Sequence, residues 1–211
     1  STQCSITEVH SIEELCYLSD LLFLCVQDNA IGDIAEKVSG DPVLLHCSGA
    51  VSLNALDPFQ GKKGVWYPLQ SFVKYRTLDY AAIPVLIESA EKETLSSLHD
   101  FTRILGNRYR ELSSAKRLEL HLAAVFANNF TNYMLRKAYD ICVARDVDPS
   151  YLLPLVKETF ARMETDHPRD TQTGPAVRND QETLDRHKEL MDDPEDRKLY
   201  ELISKAIQHD H

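Results

Sequence analysis

The chain has 211 residues, 43% of them apolar and 27% charged, a balance close to that of ordinary globular proteins, which excludes disorder for its bulk. Its 23 basic and 33 acidic residues leave a net charge of −10, which argues against nucleic acid and anionic membrane surfaces as partners. The longest apolar runs, Leu21–Val26 and Leu122–Ala127, hold six residues each, far short of the roughly 20 that a membrane span needs. In chain order, the first half reads as short apolar runs parted by turns. Leu21–Val26 is a strand, followed by a helical stretch from Asn29 to Val38 and the turn Ser39-Gly40-Asp41-Pro42. Val43–His46 is a second strand closed by Cys47-Ser48-Gly49, Val65–Tyr67 a third before Pro68, and Pro84–Ile87 a fourth. Unalternating apolar runs interleaved with helical segments are the pattern of strands buried on both faces, hence of a mostly parallel α/β sheet.

The second half is helical and richer in charge, with 16 charged residues before position 91 and 40 from there on. Ser113 or Ser114 caps a long helix running to about Arg145. Its middle, Leu118 to Phe130, is apolar nearly all round, which predicts a place at the centre of a bundle. Asp148-Pro149 opens a helix to about Glu164, and an irregular loop containing Gly174-Pro175 follows. Two charged helices complete the chain, about Asp180–Met191 and Pro194–Gln208. The change of texture predicts two domains, 1–90 and 91–211.

Ligands of parallel α/β sheets bind beyond the carboxyl ends of the strands. Three such ends are readable: Val26-Gln27-Asp28, Ser48-Gly49, and Tyr67 with Gln70 just beyond it. All offer groups able to hold a ribose, a phosphate or a substrate, and all are equally ordinary turn residues. On the long helix, His121, Asn128 and Asn132 stand at i, i+7 and i+11, within about 40° of one another on an ideal helix. Such a stripe needs hydrogen-bond partners, since an unpaired buried amide costs about 1–3 kcal/mol. A substrate, a cofactor or a neighbouring helix would serve. In the loop, Arg178 offers a fork suited to carboxylate or phosphate, with Asp180 as the cap of the next helix. His46 and Cys47 are adjacent on a strand and point to opposite faces, so they form no dyad. Five cysteines (Cys4, Cys16, Cys25, Cys47 and Cys142) without a CxxC pair read as reduced thiols used as small core residues in a cytoplasmic protein. Eight histidines come without HExxH or clustered Cys/His spacing, so no metal is expected.

Five blocks in order make the sequence recognisable: His46-Cys47-Ser48-Gly49-Ala50-Val51, Tyr67-Pro68-Leu69-Gln70-Ser71-Phe72, Leu120–Phe126, Asn129-Phe130-Thr131-Asn132 and Gln172–Asp180. Together they resemble a bacterial family that pairs a Rossmann-like NADP-binding domain with a helical C-terminal domain of unknown function. Its members are labelled NADP oxidoreductases by similarity to deazaflavin-dependent NADP reductases. The helical part is similar to the C-terminal domains of 6-phosphogluconate dehydrogenase and its relatives, where it makes the dimer and completes the active site.

The resemblance implies a Rossmann-like parallel sheet followed by an all-α domain, an NADP cofactor with NAD as the alternative, a small-molecule substrate and a homodimer. It implies that Val26, Gln27 and Asp28 pass beside the dinucleotide and that Ser48 and Gly49 lie near the nicotinamide. His121, Asn128 and Asn132 would form the catalytic set, with His121 handling a proton because it alone titrates near neutrality. Tyr67, Gln70, Thr173 and Arg178 would face the substrate. The family's opening strand, GxGxxG-type turn and helix, which hold pyrophosphate on backbone N–H groups, have no counterpart here. The expectation is that roughly 50 preceding residues, about a βαβ unit with its flanks, are absent from this sequence. The lysine that many relatives carry on the equivalent helix also lacks a match, Lys116 lying too early. The alternative to a hydride-transferring enzyme is a non-catalytic dinucleotide sensor or dimeric interaction protein, since fold alone licenses no reaction.

Overall fold

The computed structural model describes residues 8–210. Helix α1 (Ile12–Leu18) is capped by the Ser11 hydroxyl, which accepts from the Glu14 N–H at 3.1 Å. Strand β1 (Leu21–Leu24), helix α2 (Ile31–Ala35), β2 (Val43–His46), β3 (Lys63–Pro68) and β4 (Val85–Glu88) follow, then α3 (Lys92–Ile104) and β5 (Tyr109–Glu111). The five strands form one sheet in sequence order, β1-β2-β3-β4-β5.

β1, β2 and β3 are parallel, with Leu24 level with His46 and His46 level with Val65. β4 runs antiparallel to β3, and β5 is parallel to β4. The reversal has a local cause. A parallel neighbour needs a crossover, usually a helix, whereas the link from β3 to β4 contains only the short 3-10 turn Tyr80–Ala82.

Side chains alternate across the sheet as the pleat requires. Leu24, Leu44, Val65, Tyr67 and Leu86 join one core with Ile31, Ala35, Leu53, Leu56 and Phe59. Leu45, Val85 and Ile87 join another with Leu98 of α3, against which Phe23 and Trp66 pack. On that second face the rings of Phe23, Trp66 and Phe101 meet at 5.6–5.8 Å, and the Trp66 indole N–H donates to Thr102 at 2.9 Å. Both faces are covered, which accounts for the unbroken apolar character of the strands.

The long helix is three consecutive pieces: α4 (Ser114–Ala124), a π-helical turn (Val125–Phe130) and α5 (Thr131–Ala144). A 3-10 turn (Pro149–Leu152), α6 (Leu153–Arg162), α7 (Gln181–Glu189) and α8 (Pro194–Asp210) complete the chain. The chain divides into two compact units, the first ending at Lys137 and the second beginning at Ala138. β5 and α4, which follow the expected boundary after residue 90, therefore belong to the sheet's unit.

In the second unit the Arg145 guanidinium donates to the Leu190 carbonyl at 2.6 Å, and His187 and Tyr200 share a 2.8 Å hydrogen bond. Among its described residues only Ala176 and Leu184 are buried. The long helix is not the buried centre of a bundle within one chain, because Leu118, Leu122, Phe126 and Phe130 are each about half exposed or more. Cys16 is a core residue as expected, but Cys25 is exposed, and Cys4 lies outside the described residues. Among the described residues no helix is long and apolar enough to cross a membrane.

Candidate functional site

The turn after β2 is built from side-chain-to-backbone hydrogen bonds. His46, fully buried, accepts from the Ser48 N–H through Nδ1 at 3.2 Å. The Ser48 hydroxyl oxygen accepts from the N–H groups of Ala50 and Val51 at 3.1 and 3.0 Å. These bonds curl the chain so that Gly49 is buried at the strand end. Burial, followed by the Arg117 charge, lowers the His46 pKa from 6.5 to about 4. The ring is therefore neutral, and its Nε2 makes no well-formed hydrogen bond.

A buried ion-pair network fastens α4 beside this turn. Arg117 is 1% exposed; its guanidinium donates to Glu88 at the end of β4 and to the Val51 carbonyl. Glu88 also accepts from the Ser114 backbone N–H at 2.8 Å and from its hydroxyl, while the Ser114 hydroxyl oxygen accepts from the Leu53 N–H at 2.9 Å. Three segments distant in sequence are thus tied at the first turn of α4. An arginine at 117 looks like a surface charge in the sequence, and its only signal there is a position one helical turn after the cap.

Two turns along α4, His121 reaches the sheet. The Tyr67 hydroxyl lies 3.3 Å from His121 Nδ1. A Cβ placed on Gly49 would come within 2.7 Å of both His121 Nδ1 and the Tyr67 ring. Ser48-Gly49, Tyr67 and His121 therefore form one cluster. Burial raises the Tyr67 pKa, opposed by the Arg117 charge, so the phenol keeps its proton and can donate to Nδ1.

The other singled-out residues are placed differently. Val26, Gln27 and Asp28 are exposed just past β1, and the carbonyls of Gln27 and Asp28 accept from the Ala30 and Ile31 N–H groups in a 3-10 turn. Gln70 is exposed and accepts from the Ser71 N–H at 2.8 Å, a local turn bond. Asn128 and Asn132 are exposed, and Asn128 donates to Asn129 at 3.4 Å. The π turn, with i→i+5 bonding, inserts a residue into the helix. That shifts everything after it by about 100° relative to an ideal α-helix, so the arithmetic that aligned His121 with both asparagines does not hold across it. Thr173 and Arg178 are exposed in the second unit, and Asp180 caps α7 by accepting from the Thr183 N–H at 3.1 Å. Among the described residues no group of three or more His, Cys, Asp or Glu could hold a metal ion.

Comparisons with known proteins agree with this fold. A solved protein of Bacteroides fragilis, named a candidate NADP oxidoreductase, is 32% identical; the match covers 90% of this chain and 75% of that one, with a TM-score of 0.84. A Thermotoga maritima protein is 24% identical over 90% of this chain and 78% of its own, with a TM-score of 0.70. Pyrroline carboxylate reductase of Plasmodium falciparum, solved with NADP bound, is 12% identical over 99% of this chain and 86% of its own; its TM-score of 0.60 shows a shared Rossmann-like fold. No curated protein matches the chain. The profile of a domain of unknown function, DUF2520, matches residues 83–207. The chain belongs to the DUF2520 family, with a Rossmann-like sheet and a helical C-terminal region.

Proposed function

We propose that the protein is a nicotinamide-dinucleotide-dependent oxidoreductase, with NADP as the favoured cofactor and a small metabolite as substrate. The observation that carries this reading is the convergence of Ser48-Gly49, Tyr67 and His121 beside the carboxyl ends of parallel strands, where such sheets take their ligands. The naming of the Bacteroides fragilis relative as a candidate NADP oxidoreductase adds support. The exposed groups of Val26, Gln27 and Asp28 fit a dinucleotide passing along the strand ends. The Ser48 N–H is engaged by His46 and its oxygen by Ala50 and Val51, so Ser48 contributes its hydroxyl proton and Gly49 its compact backbone.

Hydride chemistry is supplied by the bound dinucleotide, and the protein orients and manages a proton. His121 is the proposed proton donor or acceptor, with Tyr67 as the residue that holds its Nδ1. Asn128 and Asn132 are proposed to act with His121, and Gln70, Thr173 and Arg178 are proposed substrate contacts. A homodimer is part of the proposal. The stripe Leu118, Leu122, Phe126 and Phe130 repeats every four residues and is open to solvent in one chain, the form of an apolar helix face awaiting a partner.

The test is titration of the full-length protein with NADPH and with NADH, following the fluorescence of the nucleotide. Trp66 is the poorer reporter, because it packs with Phe23 and Phe101 on the sheet face opposite Tyr67. Micromolar NADPH binding, with substrate turnover that His121→Gln abolishes and Tyr67→Phe weakens, is the expected result. Absence of binding by either nucleotide overturns the reading. Binding by a protein that turns over no substrate favours the sensor reading.

A further inference from the structure

Cys25 and Cys47 take no part in the site described above. Each is the first residue beyond its strand, and the strands are parallel neighbours in register, Leu24 level with His46. Adjacent strands lie about 4.8 Å apart, within the Cα separation a disulfide spans, and residues level with each other on parallel strands project to one face. The two sulfurs are 3.8 Å apart, with no other residue separating them along the sheet. Cys25 is exposed and Cys47 half-buried.

We propose that Cys25 and Cys47 are a redox-active dithiol, a site of reversible disulfide formation at the carboxyl edge of the sheet. Their chemical environments differ in the way such a pair requires. Hydrogen bonding from Cys47 lowers the Cys25 pKa from 9.0 to about 6, while the same contact and then burial push the Cys47 thiol up. Cys25 is the nucleophile, since the thiolate is the reactive form and is exposed to solvent. Cys47 is the resolving thiol. The oxidant is hydrogen peroxide.

The Cys25 thiolate attacks one peroxide oxygen and the O–O bond breaks. The departing hydroxide takes up a proton as water and Cys25 becomes a sulfenic acid. The Cys47 sulfur then attacks the Cys25 sulfur; the S–S bond forms, the S–O bond breaks, and the hydroxyl leaves as a second water with the Cys47 proton. The two thiols lose two electrons and two protons, and the peroxide is reduced to water. A dithiol reductant reverses the bond by exchange.

Closure draws the sulfurs from 3.8 Å to about 2 Å and pulls on the residues that follow each cysteine, Val26–Asp28 and Ser48–Gly49. An effect on the nucleotide rests on the functional reading above; formation of the bond does not.

Full-length protein is reduced, freed of reductant, treated with hydrogen peroxide, alkylated and mapped by mass spectrometry without reduction. The expected product is one cross-linked peptide pair joining Cys25 and Cys47, with loss of two free thiols that dithiothreitol restores. Cys47→Ser should leave a Cys25 sulfenic acid that dimedone traps, with a far-UV spectrum confirming that the variant folds. Cys25 driven to sulfinic acid in the wild type without a cross-link overturns the proposal, and so does a cross-link between any other pair. NADPH titration of the reduced and cross-linked forms should show weaker binding after closure. If the reduced protein binds no nucleotide, the functional reading fails while the mapped disulfide still stands.

Discussion

Gly49 occupies a position where the objection to a side chain is space. A Cβ there meets His121 Nδ1 and the Tyr67 ring at 2.7 Å, and the ring is only 9% exposed, so it has little freedom to yield. Gly49→Ala should lower stability by about 1–3 kcal/mol, the usual cost of overpacking, and should separate Tyr67 from His121. Urea unfolding measures the first effect, and an unchanged midpoint would mean that the cluster is looser than described. His46, three residues earlier, makes a pH prediction. Its pKa falls from 6.5 to about 4 on folding, so between those values the unfolded chain binds the proton and the folded chain does not. Stability from this residue is whole above pH 6.5 and is lost as pH falls to 4, by about 3 kcal/mol. His46→Asn keeps an acceptor for the Ser48 N–H and removes the titration. The variant should be less stable than the wild type at neutral pH, with a gap that narrows toward pH 4; a constant gap in urea unfolding would place the His46 ring in solvent.

Among the elements, α4 is tied to the sheet by a buried ion pair, beside Leu120, which packs against the core. Arg117 links the first turn of the helix to Glu88 of β4 and to the Val51 carbonyl. Arg117→Met should cost about 3–5 kcal/mol, because it leaves a carboxylate with only 17% of its side-chain surface exposed without its cation. The double variant with Glu88→Gln should recover part of that loss; full additivity in denaturant unfolding would deny the coupling. None of this was visible in the sequence, where arginine one turn into a helix has the look of a solvated charge. The strands β1 to β4 were legible because burial on both faces leaves unbroken apolar runs such as Leu21–Val26 and Val43–His46. β5, Tyr-Arg-Glu at 109–111, carries no such run and is not legible, and neither is α3. The direction of β4 was legible in principle, since the 69–84 link offers no helix for a parallel crossover. The π turn was not, because periodicity arithmetic assumes one residue spacing throughout and a single insertion defeats it. Ser48, Gly49 and Tyr67 were readable as strand-end residues, whereas their meeting with His121 depends on where Arg117 anchors the helix.

At the scale of the whole molecule, one chain leaves too much apolar surface uncovered. In the second unit only Ala176 and Leu184 are buried among the described residues, while Tyr151, Leu155, Leu190 and Leu202 are each at least 63% exposed. On the long helix, Leu122 and Phe126 are 57% and 62% exposed. Large apolar side chains left this exposed suit an interface, and a homo-oligomer with closed symmetry is the proposed way to cover them. Sedimentation should therefore give about twice the 24.0 kDa of the chain, and Leu122→Glu combined with Phe126→Glu should shift the protein toward monomer. Salt separates this from a charge-held assembly. Each protomer carries −10, so two protomers repel, and raising ionic strength screens that repulsion over less than about 10 Å while strengthening apolar burial slightly. The dimer should persist or tighten at high salt. Dissociation by salt would assign the contact to ion pairs instead and leave the apolar stripe without its partner.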